Sequence, residues 1–183
     1  MDREKEKELC TARGTVVVRA AREDDAVALR ALRLEALADA PVAFAADYER
    51  TEAEGSEVWV ERIRRNEAEN EGVICIAATD DGLVGMTGLY RGHWPKTQHS
   101  AGIWGVYVAP AWRGQGLADA LIEACLDWAR ARGVIVAKLG VVTTNTPAIR
   151  CYARCGFHVY GLEPQVIYYD GVFYDELLMA KAV

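Results

Sequence analysis

The sequence predicts a single α/β domain, in which one mixed, mostly antiparallel β-sheet of about seven strands carries about four helices on its faces. Three observations lead to this fold class. Apolar and β-branched runs of strand length alternate with amphipathic segments of helix length. Asp81-Gly82 and Asp170-Gly171 separate pairs of such runs and are strong hairpin signals. The length of 183 residues, with 51% hydrophobic and 26% charged residues, is typical of one globular domain.

The chain begins with a charged leader over residues 1–14, which has too little apolar content to fold by itself. We expect a flexible tail there and the domain over residues 15–183. The β-branched run 15–20 predicts the first strand. Asp24 or Asp25 can cap an amphipathic helix, and Pro41 marks the end of that helix.

The segment 41–55 is loop-like, and Ser56 then starts a shorter helix that ends near Glu69. Strand-like runs at 72–79 and 83–90 flank the first Asp-Gly pair and should pair antiparallel.

The second half of the chain continues with a strand over 101–109. Residues 116–132 predict a helix with one apolar stripe, and 134–142 predict a buried strand. A short helix over 146–156 has Pro at its first position and Gly at its end. Two last strands, over 157–169 and 172–180, follow it.

The net charge of −6 restricts the partners, because binding to nucleic acid independently of sequence depends on Lys and Arg neutralising phosphates. An acidic surface favours cationic partners instead. No run approaches the roughly 18 consecutive apolar residues that a membrane span requires, and residues 1–7 lack the apolar stretch of a signal peptide. We therefore expect a cytoplasmic protein with no nucleic-acid or membrane partner.

The cysteines have an odd number and no metal-finger spacing. Three of the five lie in apolar segments, where a reduced thiol packs as a small hydrophobic group. Cys151 and Cys155 could act as a nucleophile or a metal pair, but no further ligand has suitable spacing. We expect reduced, buried thiols and no metal.

The most informative segment runs from the strand at 103–109 through a short turn into the helix that begins at Gly116. Main-chain amides at a helix start lack partners, and the helix dipole favours an anion there by roughly 0.3 to 2 kcal/mol. Gly114 and Gly116 have no Cβ, so a phosphate oxygen can approach the main chain closely. Arg113 adds a permanent positive charge. The pattern predicts a phosphate cradle.

Two other phosphate-binding motifs fit poorly. A P-loop needs a Lys after its glycines, and none is present. The dinucleotide fingerprint needs a third glycine where this chain has Asp119. It also needs a carboxylate at the end of the next strand, and residues 142–145 at that strand end contain none. A plain tight turn between strand and helix remains an alternative.

Arg113-x-x-Gly116-x-Ala118 resembles the Arg/Gln-x-x-Gly-x-Gly/Ala signature of the GNAT superfamily of N-acetyltransferases. The preceding strand 104–108 and the segment from Asn145 to Phe157 are similar to that family as well. The resemblance implies a sheet that is splayed between its fourth and fifth predicted strands, where acetyl-CoA inserts its pantetheine arm like an extra strand.

The same resemblance implies roles for individual residues. Main-chain groups of Val106 and Val108 would pair with the pantetheine amides, and one amide among Val106, Tyr107 and Val108 would be the oxyanion donor. The pyrophosphate would lie on the amides of Arg113, Gly114, Gln115, Gly116, Leu117 and Ala118.

Tyr152 matches the family's tyrosine that returns a proton to the leaving thiolate, and a phenol suits that task. The alternative is a packing role on the short helix. Asn145 would contact the cofactor or a bound water, or cap that helix.

The general base is not apparent, because the strand before the cradle contains no carboxylate. Glu35, His93, His99 and Glu163 could act through water, but each could equally be a solvated surface group. An acceptor with an α-amino group, whose pKa is about 8, would need no strong base.

The expected activity is transfer of acetyl from acetyl-CoA to a primary amine of a small molecule, amino acid or peptide N-terminus, by direct attack. The alternative is a non-catalytic acyl-CoA-binding sensor. The family's acceptor pocket comes from variable segments, here 40–56, 91–100 and 162–172. Their aromatic residues could wall a cleft or form a homodimer contact; these are Phe44, Tyr48, Trp94, Tyr168 and Tyr169.

Overall fold

The computed structural model describes residues 6–183, which form one sheet of eight strands with five α-helices. The strands are β1 (Lys7–Thr11), β2 (Gly14–Ala20), β3 (Gly72–Thr79), β4 (Gly82–Arg91), β5 (Ser100–Val108), β6 (Val136–Val142), β7 (His158–Tyr169) and β8 (Val172–Ala182). The helices are α1 (Ala26–Asp39), α2 (Tyr48–Ala53), α3 (Glu57–Glu69), α4 (Leu117–Arg130) and α5 (Thr146–Arg154).

The sheet has the order β1-β2-β3-β4-β5-β6-β8-β7, and every neighbouring pair except β5 and β6 is antiparallel. The parallel pair is short, because only Ser100–Gly102 of β5 meets Val136–Lys138 of β6. Beyond these residues the two strands diverge. The predicted mixed sheet is confirmed, and its splay lies between the strands that the sequence places fourth and fifth.

Helices cover both faces of the sheet and produce two apolar layers. On one face, α4 buries Leu121, Ile122 and Leu126 against the strands. On the other face, α1 and α3 bury residues such as Leu29 and Trp59. Each fully buried aliphatic or aromatic side chain contributes roughly 1.5 to 3 kcal/mol, so the two layers fix the strands on either side of the splay. No helix within residues 6–183 is both long and apolar enough to cross a membrane.

Two elements were not predicted. The flexible tail expected over residues 1–14 is wrong where β1 pairs with β2, from Lys7 opposite Val18 to Thr11 opposite Gly14. Charged side chains are typical of an edge strand, and Leu9 packs against the core, which explains why composition alone suggested a tail. Residues 1–5 lie outside the described part.

The second unpredicted element is α2, inside the segment 41–55 that was expected to be a loop. The Asp47 side chain accepts a hydrogen bond from the Arg50 amide at 2.8 Å and caps this short helix.

Candidate active site

The splay between β5 and β6 opens a cavity of about 800 Å³ that reaches the start of α4. Gly105 and Val141, from the two separated strands, both border it. Ten of the predicted site residues line this cavity; they are Val106, Tyr107, Val108, Arg113, Gly114, Gly116, Leu117, Ala118, Asn145 and Tyr152. Gln115 does not, and its side-chain oxygen is buried without a hydrogen-bond partner among residues 6–183.

The turn before α4 has the geometry of an anion cradle. Gly114 and Gly116 adopt φ of +76° and +78°, and a Cβ at either position would point into open space. Within the described chain, the N–H groups of residues 114–119 have no hydrogen-bond partner, and the Ala120 amide is the first to bond, to the Gly116 carbonyl at 3.0 Å. The Arg113 amide differs from the prediction, because it donates to the Pro110 carbonyl at 3.3 Å. The free amides and the absent Cβ atoms fit a pyrophosphate.

The Arg113 side chain is held at the side of the cavity. Its Nε donates to the Val108 carbonyl at 3.0 Å, and its guanidinium forms an ion pair with Asp39 of α1. It also lies 5.7 Å from the centre of the Tyr107 ring. The positive charge predicted to face a phosphate is thus shared with a carboxylate.

Tyr107 links β5 to α1, because its hydroxyl donates to Glu35 Oε1 at 3.1 Å. Burial raises the pKa of Tyr107, and the Glu35 carboxylate raises it further. The Glu35 carboxylate, one of the candidate bases, is therefore already engaged in a hydrogen bond.

β5 carries an irregularity where it borders the cavity. The register with β4 shifts between Met86 and Gly88, and Gly105 has φ of +65°. The Thr87 hydroxyl donates to the Trp104 carbonyl at 3.2 Å beside the shift. Such a bulge re-aims main-chain groups, and these groups lie at the splay, where an oxyanion donor is needed.

Tyr152 projects from α5 and is only 7% exposed, with its ring 6.3 Å from that of Phe157 in an edge arrangement. Burial raises the pKa of Tyr152, and nearby Cys151, Cys155 and Glu176 raise it further. Its hydroxyl makes no hydrogen bond within the described residues, and Tyr152 is among the residues that line the cavity. A phenol that stays protonated can donate a proton but is a poor base.

Asn145 shows the capping role that the sequence left open. Its side-chain oxygen accepts a hydrogen bond from the Ala148 amide at 3.2 Å, which fixes the start of α5. It also borders the cavity.

The other candidate bases lie away from the cavity. His93 and His99 are exposed near the start of β5, opposite the cradle, and His93 pairs with Glu71. Glu163 is exposed on β7 and neither it nor the histidines line the cavity.

Glu176 on β8 is a residue that sequence reasoning missed. Its carboxylate lies where a Cβ on Gly140 of β6 would be, and Gly140 borders the cavity. Burial raises the pKa of Glu176, and the cross-strand neighbour Glu163 raises it further. The sequence signal for this contact is Gly140, a glycine within a predicted buried strand. Which residue of β8 lies beside Gly140 depends on the register between β6 and β8.

The structure also adds a partner to the two cysteines of α5. Cys151 Sγ donates to Asp119 Oδ1 at 3.0 Å, Cys155 Sγ lies 3.5 Å from the same oxygen, and Arg154 pairs with Asp119 at 3.2 Å. The ligand-type atoms of the two cysteines and Asp119 lie within 4.8 Å of one another. Spacing along the chain did not reveal Asp119 as a third ligand-type residue, because Asp119 comes from α4. The hydrogen bond with Cys155, burial and Asp119 raise the pKa of the Cys151 thiol.

The predicted aromatic residues separate into two groups. Phe44 borders the main cavity and also a second cavity of about 480 Å³, which is lined by Tyr48, Tyr168 and Tyr169. Trp94 is 70% exposed and borders neither. An aromatic wall thus lies beside the main cavity, without Trp94.

Comparison with known proteins is consistent with this geometry. The sequence pattern of the Acetyltransferase (GNAT) family matches residues 30–157. The chain is 30% identical over 128 residues to the L-amino acid N-acetyltransferase AaaT of Escherichia coli, covering 68% of this chain and 75% of that protein.

Solved structures show the same fold. The Salmonella typhimurium protein yncA, with its cofactor acetyl-CoA, superposes with a TM-score of 0.80 at 22% identity, covering 91% of this chain and 93% of that one. The ribosomal-protein-alanine N-acetyltransferase of Brucella melitensis gives a TM-score of 0.74 at 27% identity, over 91% and 99%. The family pattern, the curated relative and the splayed sheet agree, and the chain belongs to the GNAT family of acetyltransferases.

Proposed function

We propose that the protein transfers the acetyl group of acetyl-CoA to a primary amine of a small molecule, an amino acid or a peptide N-terminus, by direct attack. The observation that carries the proposal is the cavity in the splay, because its lining includes residues 114 and 116–118, whose amides are free, and Tyr152. Free amides suit the pyrophosphate of the donor, and a phenol can protonate the leaving thiolate.

The main chain holds the donor. Val106 offers its N–H and carbonyl to the pantetheine arm, whereas the Val108 carbonyl already accepts from Arg113 and contributes less. The free amides of residues 114–118 take the pyrophosphate at the start of α4. Arg113 positions this turn through Asp39 as much as it attracts the anion.

Acetyl-CoA supplies an acetyl thioester, at which the C–N bond forms as the C–S bond breaks. The amides at the β5 bulge stabilise the charge that develops on the carbonyl oxygen. Tyr152 gives its proton to the departing sulfur. Burial raises the pKa of Tyr152, so the phenol holds its proton until the sulfur departs.

The acceptor amine must also lose a proton. Glu176 is the carboxylate that we assign to receive it through water, because its carboxylate lies beside Gly140, a residue of the cavity lining, and burial raises its pKa. The Escherichia coli relative is named as an L-amino acid N-acetyltransferase, which supports an α-amino acceptor. The α-amino group of a peptide N-terminus, with a pKa of about 8, needs only a weak base, whereas the amine of a free amino acid is more basic and depends more on Glu176.

The test is a panel of amino acids, alkyl amines, aminoglycosides and peptide N-termini, with thiol release as the readout and mass spectrometry of the acetylated product. Reactions without amine and without protein give the background. We expect at least one amine to accelerate thiol release with equal formation of acetylated product. Tight acetyl-CoA binding by calorimetry with no turnover across the panel would instead establish a sensor.

A further inference from the structure

Arg33 of α1 is a buried cation that the acyl-transfer scheme does not use. The residue is 8% exposed, and its Nη1 atom is buried without a hydrogen-bond partner among the described residues. A buried charge without a partner costs several kcal/mol, so such groups are normally paired. A residue that remains in this state is a candidate for binding a ligand.

The guanidinium of Arg33 lies between two residues that border the main cavity. Its Cζ is 4.5 Å from the centre of the Phe44 ring, and its Nη1 is 3.8 Å from the point that a Cβ on Gly105 would occupy. Phe44 and Gly105 both line the cavity. Gly105 marks the bulge of β5. Arg33 itself does not line the cavity, and its unsatisfied Nη1 lies beside the lining residue Gly105 at this bulge.

The surroundings of Arg33 are cationic and aromatic. Arg62 of α3 lies 5.0 Å from the Trp59 ring and 5.4 Å from the Trp104 ring. Burial, and then the charge of Arg62, lower the pKa of Arg33 to about 10. Within residues 6–183 neither arginine forms an ion pair or a hydrogen bond, and the aromatic faces give only cation–π contacts.

We infer that Arg33 binds the carboxylate of the acceptor, so that the acceptor is an amino acid or another small amine that carries a carboxylate. A guanidinium presents paired N–H groups that match a carboxylate, and an incoming anion would satisfy the orphaned Nη1. The inference rests on the proposed acetyl transfer, whose acceptor it narrows. It differs from the cationic partner that the net charge of −6 suggested, because Arg33 and Arg62 place two cations close together beside the β5 bulge.

The experiment compares glycine, leucine, methionine and phenylalanine, each beside its C-terminal amide. The amino-acid amides lack the carboxylate and have a less basic amine, so a larger fraction of that amine is neutral and able to react. We nevertheless expect the wild-type protein to acetylate at least one of the amino acids about 10- to 100-fold better in kcat/KM, the size of a lost charge-assisted hydrogen bond. Equal or better use of all four amides would overturn the inference.

Two variants and a matched control assign the preference to Arg33. Arg33→Met should remove it by lowering kcat/KM for the amino acid about 10- to 100-fold, with the amide unchanged within about threefold. Arg33→Lys should keep part of it. The control is Arg30→Met on the same helix, because Arg30 donates to the carbonyls of Glu52 and Glu54, whereas Arg33 Nη1 has no partner among the described residues.

Folding and donor binding are measured on the same variants. Arg33→Met should keep or raise Tm, since it removes an unpaired buried charge, and should leave the Kd for acetyl-CoA unchanged. A weaker Kd for acetyl-CoA would make Arg33 a donor-binding residue and refute the assignment. An equal loss with amino acids and amides would make its role structural.

Calorimetry separates this inference from the proposed function. N-acetyl-leucine and N-acetyl-leucinamide are titrated into the protein with coenzyme A present. Tighter binding of the carboxylate, abolished in Arg33→Met, supports the anion site even if no amine is turned over. Equal binding of both compounds contradicts it even if turnover is observed.

Discussion

Replacing Tyr152 by Phe tests the proton donor with little structural disturbance. The hydroxyl makes no hydrogen bond among residues 6–183, and the remaining ring keeps its edge contact with Phe157 at 6.3 Å. The free energy of unfolding should therefore change by less than about 1 kcal/mol. The donor amides lie elsewhere, on residues 114–118, so acetyl-CoA affinity should stay the same.

The acetyl-transfer rate of Tyr152→Phe should fall by about 10² to 10⁴, the usual contribution of a positioned acid. Because the pKa of Tyr152 is raised, the hydroxyl stays protonated across pH 6 to 9, and no rate loss from its ionisation is expected there. Single-turnover measurement over that range is the appropriate assay, since product release can limit steady-state turnover. A wild-type transfer rate in a folded variant would show that Tyr152 is a packing residue.

Three further changes probe the cradle, the thiols and the base. Gly116→Glu should abolish acetyl-CoA binding in calorimetry. The matched control is Gly133→Glu beyond the other end of α4, because Gly133 has φ of +72° and equally open space around a Cβ. This control should suffer similar backbone strain and keep its affinity for acetyl-CoA. Cys151→Ala with Cys155→Ala should retain turnover within about threefold, and a hundredfold loss with intact folding, or a trapped acetyl-cysteine, would contradict direct transfer. Glu176→Gln should lower kcat/KM. Because burial raises the folded pKa of Glu176 above its ordinary value, the stability of the wild type falls as the pH rises through that pKa, so Tm of the variant should gain on that of the wild type as the pH rises above the ordinary range of a glutamate.

The features that sequence could reveal are those encoded within a short segment. The Gly114-Gln115-Gly116 turn and the cap at Asn145 are local patterns, and both occur where they were predicted. The element order follows from periodicity in the same way. Among the strands and α-helices of residues 6–183, β1 and α2 were missed, because an exposed edge strand and a helix of six residues carry little apolar periodicity.

The features that sequence could not reveal depend on contacts between distant segments. Arg33 resembles any helical arginine until Phe44 and Gly105 enclose it. Glu176 comes to lie beside Gly140, which lines the cavity, only through the register of β8 on β6. Asp119 meets the cysteines only because α4 and α5 pack together. Contacts between segments that lie tens of residues apart cannot be predicted from the local secondary-structure propensity of either segment.

The short contact between β5 and β6 makes the sheet two rigid halves that share a narrow seam. Only three residue pairs join them, so outward N–H groups beyond Gly102 lack the protection that a full ladder provides. Hydrogen exchange should be fast at those amides of β5 in the free protein and slow once the donor fills the gap. By linkage, a donor at 100 times its Kd would add about 2.7 kcal/mol of stability. The amount of folded protein at high temperature should then report the acetyl-CoA concentration.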